Sequence, residues 1–98
     1  MMKRIIGNLV YDTDKAQEVH RVKTGESPLV GPLEDTLYST KRGNWFLVEE
    51  SECFSEETGI DICAEFTALT AEEAFKWLME RQAVDAIQEY FADLVEEA

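Results

Sequence analysis

His20, Cys53 and Cys63 are the residues from which this chain could assemble a nucleophilic site. An imidazole beside a thiol takes its proton and leaves the stronger nucleophile. His20, however, sits next to Arg21 in a stretch that reads as strand, far in sequence from either thiol, and is expected to be a polar surface residue. The cysteines are separated by nine residues, which fits neither a Cys-x-x-Cys redox pair nor a zinc knuckle. They are read as reduced thiols in a cytosol. Asp12-x-Asp14 opens like a calcium loop, but Gln17 stands where the sharp turn needs Gly and Lys23 where the bidentate Glu belongs. The carboxylate pairs Glu49-Glu50 and Glu56-Glu57 could do acid–base work if burial set one member apart. Their hydrophilic surroundings predict solvated faces instead. The expectation is a protein that is not an enzyme and takes no cofactor and no metal.

What the acids can do is bind. The chain has 98 residues and a formal charge of −12, with 45% hydrophobic and 10% aromatic residues, which argues for a folded domain. Residues 1–48 hold six acids against seven bases, whereas residues 49–98 hold fifteen acids against Lys76 and Arg81. A field of one sign on half of a small domain repels nucleic acid and membrane surfaces and attracts a basic groove. Direct nucleic-acid binding and membrane association are therefore not expected.

Two groups of acids carry this reading. Asp85, Glu89, Asp93 and Glu97 recur every fourth residue near the end of the chain, with Glu96 beside them. On a helix they would form one stripe, opposed by like-charge repulsion of about 0.2 to 0.5 kcal/mol per pair and by the helix dipole. Solubility alone could account for a solvated acidic face, since apolar burial outweighs about 1 kcal/mol of summed repulsion. A partner would account for it as well. Successive acids on such a stripe lie ~6 Å apart along the axis, and Glu50 and Glu52 on a strand stand at a similar interval. Duplex DNA carries one charge per ~1.7 Å of axis. The predicted partner-binding residues are Glu49, Glu50, Glu52, Glu56, Glu57, Asp85, Glu89, Asp93, Glu96 and Glu97.

The elements that must position these acids follow from pattern. Gly7-Asn8 marks a two-residue hairpin turn between Lys3 to Ile6 and Leu9 to Tyr11. Asp12 or Thr13 can cap a short helix carrying Ala16 and Val19, and His20 to Lys23 is extended again. GESPLVGP, residues 25–32, reads as a loop. LEDTLYST and WFLVEESE form a hairpin about KRGN, with Trp45 and Phe46 on opposite faces. CFSEETG is a second connection, and Ile60 to Leu69 a third long strand. Thr70 and Glu73 make a capping box for a helix that presents Ala74, Phe75, Leu78 and Met79 and continues, or bends near Gln82. Ala83, Ile87, Tyr90, Phe91 and Leu94 form its second apolar stripe. The fold class is α+β in a single domain, 1–98: a small antiparallel sheet of three to five strands over 1–69, with a short N-terminal helix, and a C-terminal helix or helix pair over 70–98 packed on it. MMKRIIGNLVYD is not expected to be a signal peptide, and no stretch is long enough for a membrane span.

Three segments carry a resemblance. YDTDKA (11–16), LYSTKRGNWFL (37–47) and TAEEAFKWL (70–78) resemble a group of small acidic proteins of phages and other mobile elements with a YDTxxA start, an LYxTKxGNWFL hairpin and an EEAxxWL helix. The likeness covers about half the chain, departing from the group's pattern at GESPLVGP and in a longer tail. It implies an anti-CRISPR protein in the cytoplasm of a bacterial host, with a CRISPR-Cas effector as partner and with the shared residues serving as scaffold. The alternative is an accessory or regulatory protein of the mobile element that self-associates, as a homodimer through the C-terminal apolar stripe, and binds another basic host protein.

Overall fold

A computed structural model describes residues 2–57 and 59–98. The chain runs β1 (Lys3–Ile6), β2 (Leu9–Asp12), β3 (Gln17–Ser27), β4 (Gly31–Ser39), β5 (Trp45–Ser55), β6 (Gly59–Leu69), α1 (Ala71–Glu80) and α2 (Val84–Tyr90), closing with a 3-10 turn at Ala92–Leu94. β3 to β6 form an antiparallel sheet in sequence order, and β1 and β2 form a separate hairpin. The α+β class with a C-terminal helix pair is as expected.

Alternation along β5 builds two cores at once. Trp45 and Leu47 face the helices together with Leu37, against Ala74, Trp77, Leu78, Ala83, Ala86 and Ile87. Phe46 and Val48 face the other way, with Tyr11 and Tyr38, under the β1–β2 hairpin. Phe46 is fully buried, stacked on Tyr38 and Phe66 at 5.0 and 5.6 Å between ring centroids. The sheet is thus the middle layer of three.

Both tight turns fall where the sequence places them. Ile6 pairs with Leu9 across Gly7-Asn8, and Ser39 with Trp45 across the turn in which Gly43 adopts φ +84°, a conformation cheap for glycine alone. The capping box forms: Thr70 Oγ1 accepts the Glu73 N–H at 3.1 Å, and Glu73 Oε1 accepts the Thr70 N–H at 2.8 Å. The bend is at Gln82. Its N–H donates to the Met79 carbonyl at 3.1 Å and the Ala83 N–H to the Leu78 carbonyl at 3.1 Å, a Schellman motif with Gln82 at φ +51°.

Four local expectations are corrected. No helix follows Asp12: its side chain accepts the Asp14 N–H at 2.9 Å and its carbonyl the Ala16 N–H at 3.1 Å, but the turn stops there because Gln17 already pairs with Ser39. GESPLVGP is mostly hairpin, with Gly25, Glu26 and Ser27 paired to Leu33, Pro32 and Gly31. The connection CFSEETG is shorter than expected, since β5 extends through Ser55; Thr58 of that stretch lies outside the described residues. The C-terminal helix ends at Tyr90, so Asp93 lies in the 3-10 turn and Glu96 and Glu97 lie beyond it.

Candidate functional site

The sheet divides at its far end. β4 pairs with β5 only from Ser39–Trp45 to Asp35–Glu49, while β3–β4 and β5–β6 continue as separate hairpin arms to Ser27–Gly31 and Ser55–Gly59. The molecule is accordingly long, 51 × 33 × 18 Å. Glu50 sits at the division, and its Oε1 accepts the Glu34 N–H at 2.9 Å, taking the place of the next rung of the ladder. One oxygen of this predicted partner-binding residue is therefore already engaged.

The β5–β6 arm concentrates the charge. Residues 49–69 contain Glu49, Glu50, Glu52, Glu56, Glu57, Asp61 and Glu65 and not one Lys or Arg. Register places Asp35, Glu49 and Glu65 directly opposite one another on three adjacent strands. Neighbouring strands lie ~4.8 Å apart, and like charges facing each other across a sheet are destabilising. The cost is visible at Glu49. Partial burial lifts Glu49 above the usual carboxylate range, with the negative charges of Asp35 and Glu65 adding to it and Arg81 opposing. Asp35 is lifted by burial, again opposed by Arg81. Arg81 itself is held over the Trp77 ring, 4.0 Å from its centroid, and donates to the Trp77 carbonyl at 3.0 Å. Its position opposite the acids is fixed by the end of α1.

On the other face of the arm, Glu50 and Glu52 share a side with Phe54, which is 81% exposed opposite Ile60. Glu56 and Glu57 are exposed in the turn at the tip. Phe54 is thus an exposed aromatic with acids beside it on the same face and in the nearby turn.

The acids of the C-terminal segment do not form one stripe. Asp85 and Glu89 are exposed on α2, a helix of seven residues, whereas Asp93, Glu96 and Glu97 leave its axis. Gln88 Nε2 donates to Glu97 Oε1 at 3.4 Å, which turns the tail back over α2. The repulsion between acids four apart on a helix therefore applies to Asp85 and Glu89 alone. The accompanying apolar stripe is taken up within the chain: Ala83 and Ile87 are buried, and Phe91 stacks on Trp45 at 5.1 Å. Leu94 is left exposed.

The nucleophile candidates are disposed of by geometry. Cys53 and Cys63 are joined in a disulfide across the β5–β6 arm, which overturns the expectation of reduced thiols. Bridges of this kind form in oxidising surroundings. His20 lies edge-on to Trp77 with ring centroids 6.0 Å apart, half-buried rather than on the surface. Among the described residues no group of three or more His, Cys, Asp or Glu converges to hold a metal ion, and no helix is long and apolar enough to cross a membrane.

No protein family, curated protein or solved structure matches the chain. The likeness to mobile-element proteins rests on its three segments alone. Asp35, Asp61 and Glu65 were not among the predicted site residues. They become visible once each hairpin is assigned a register: the turn that pairs Ser39 with Trp45 also pairs Asp35 with Glu49, and the next hairpin brings Glu65 to the same row.

Proposed function

We propose that this protein is a non-enzymatic inhibitor that binds a bacterial CRISPR effector and blocks its nucleic-acid groove with the acidic surface of the β5–β6 arm. The observation that carries the reading is the row Asp35–Glu49–Glu65, three like charges in register that the fold gains nothing by aligning. A groove lined with Lys and Arg would relieve that repulsion, and on the opposite face Glu50 and Glu52 beside the exposed Phe54 offer a second acidic surface to a partner that wraps the arm. The choice of a CRISPR effector comes from the resemblance of the three segments, and the acidic arm supports the broader class of nucleic-acid-handling partner. In the reducing cytoplasm where such an effector works, the arm would depend on the six residue pairs from Glu50–Ala64 to Ser55–Gly59 rather than on the disulfide.

The test is competition. A purified effector carrying its guide should bind the protein at low salt, release it as ionic strength rises, and fail to bind it once loaded with target DNA. Ready formation of a ternary complex of effector, DNA and protein would refute occlusion of the groove. A pull-down from bacteria carrying CRISPR systems that recovers a different basic host protein would favour the mobile-element accessory reading.

A further inference from the structure

The positive charges of this chain are distributed as unevenly as the negative ones. Arg21 pairs with Glu18 and Glu34, and Lys23 with Glu26. Arg4 and Arg81 lie over the rings of Phe66 and Trp77. Four of the remaining cations, Lys3, Lys15, Lys41 and Arg42, line one open cavity of about 900 Å³ between the β1–β2 hairpin, the turn after Asp12 and the β4–β5 turn. Among the described residues none of these four makes an ion pair. In a chain with a formal charge of −12, each of them could have been neutralised by a neighbouring acid. From this convergence we infer that the cavity is a binding site for a compact phosphate-bearing anion of nucleotide size.

The walls are pre-formed, which is what a small-molecule site requires. Thr40 Oγ1 accepts the Asn44 N–H at 3.1 Å, and the Thr40 carbonyl accepts the Gly43 N–H at 3.0 Å, so Lys41 and Arg42 project from a closed turn. The Thr13 N–H donates to the Met2 carbonyl at 3.0 Å, tying the turn that carries Lys15 to the start of β1. Leu9 and Val10 give the cavity an apolar side, and Val10 is 60% exposed there. Asp12 and Asp14 also line it, leaving an excess of two positive charges. That arrangement suits a ligand with several negative charges at one end and an apolar or planar body at the other.

Size decides between a compact anion and a polymer. A mononucleotide matches a cavity of about 900 Å³, whereas a longer polyphosphate backbone would extend past the four cations that line it. The inference is independent of the proposed inhibition, which uses the opposite end of the sheet.

Titration of the ¹⁵N-labelled protein with ATP, pyrophosphate and adenosine, followed by amide chemical shifts, tests it. The expected result is a saturable response to ATP and to pyrophosphate confined to Lys3, to residues 8–16 and to residues 40–44, with adenosine inactive. Lys41→Gln and Arg42→Gln should each weaken ATP binding about tenfold, and Asp14→Asn should strengthen it. These exposed turn positions leave Gly43 and both cores intact. Absence of a saturable response at low salt, equal responses at Arg21 and Lys23, or equal binding of adenosine would overturn the site. So would protein concentration-dependent shifts that join the cavity to residues 49–65 without ligand, because a second copy of the chain would then be its occupant.

Discussion

Asp35 and Glu49 face each other in register across β4 and β5, at the last rung before the sheet divides into two arms. Burial raises the proton affinity of both, and for Glu49 the charges of Asp35 and Glu65 raise it further. A carboxyl whose folded value lies above its unfolded value holds its proton more tightly in the native state. Its penalty is absent below the unfolded value and grows as pH rises through the window between the two. Thermal stability should therefore rise as pH falls through the folded values of these carboxyls toward the ordinary carboxylate range. General relief of the net negative charge acts in the same direction, so the diagnostic is a difference. The double variant Asp35→Asn, Glu49→Gln should melt higher than the wild type at pH 7, with the gap narrowing as pH falls. A gap that stays constant with pH would remove the coupled row from the account.

Gln82 offers a second stability test, at the joint between the helices. It holds the left-handed position of a Schellman motif, at φ +51°, which costs a residue with a Cβ more than it costs glycine. Gln82→Gly should stabilise the protein by roughly 0.5–1 kcal/mol, even though it removes the exposed hydrogen bond from Gln82 Nε2 to the Met79 carbonyl. Urea unfolding midpoints read the change directly. An unchanged or lower midpoint would mean that glycine's freedom in the unfolded chain offsets the relief.

These two sites mark what sequence could and could not disclose. The capping box at Thr70 and Glu73, the turn at Gly43 and the opposite facing of Trp45 and Phe46 are local signals, and each appears as expected. The helix expected after Asp12 has the same kind of signal but loses to tertiary pairing, since Gln17 and Glu18 gain partners in Ser39 and Tyr38. The acidic stripe fails for a related reason: past Tyr90, Phe91 stacks on Trp45 and the chain leaves the helical path before Asp93. The row of three carboxylates belongs to no single segment. It exists only in the register between strands, so composition shows the charge and register alone shows the alignment.

The disulfide was hidden by the same omission. Read as part of a connection, Cys53 has no neighbour; read as strand, it lies across from Asp61, one diagonal step from Cys63. Because the bridge closes a short loop between strands already paired, its removal should be modest. Cys53→Ser with Cys63→Ser should lower stability by no more than about 3 kcal/mol and leave the amide spectrum of the Trp45 end unchanged. Urea unfolding with and without reductant checks this. Collapse of the whole fold on reduction would mean that the arm is stabilised chiefly by the bridge and could not persist in a reducing cytoplasm.

The two groups of acids can be separated by activity. If the β5–β6 arm enters a basic groove, Glu49→Gln with Glu65→Gln should relieve repulsion across the sheet, leaving the fold as stable as before or more so, while weakening inhibition of the effector. Asp85→Asn with Glu89→Gln removes the same number of charges from α2 and should relieve a single helical pair, about 0.2–0.5 kcal/mol. Inhibition should fall far less for this second variant, because its two positions lie on a short helix whose remaining acids have left the axis. Equal net charge makes the pair a control for long-range steering, which both variants reduce alike. Melting temperatures beside a phage-protection assay provide the comparison. Equal losses of protection would point to overall charge rather than the arm, and a larger loss for the α2 variant would move the interface to the helices.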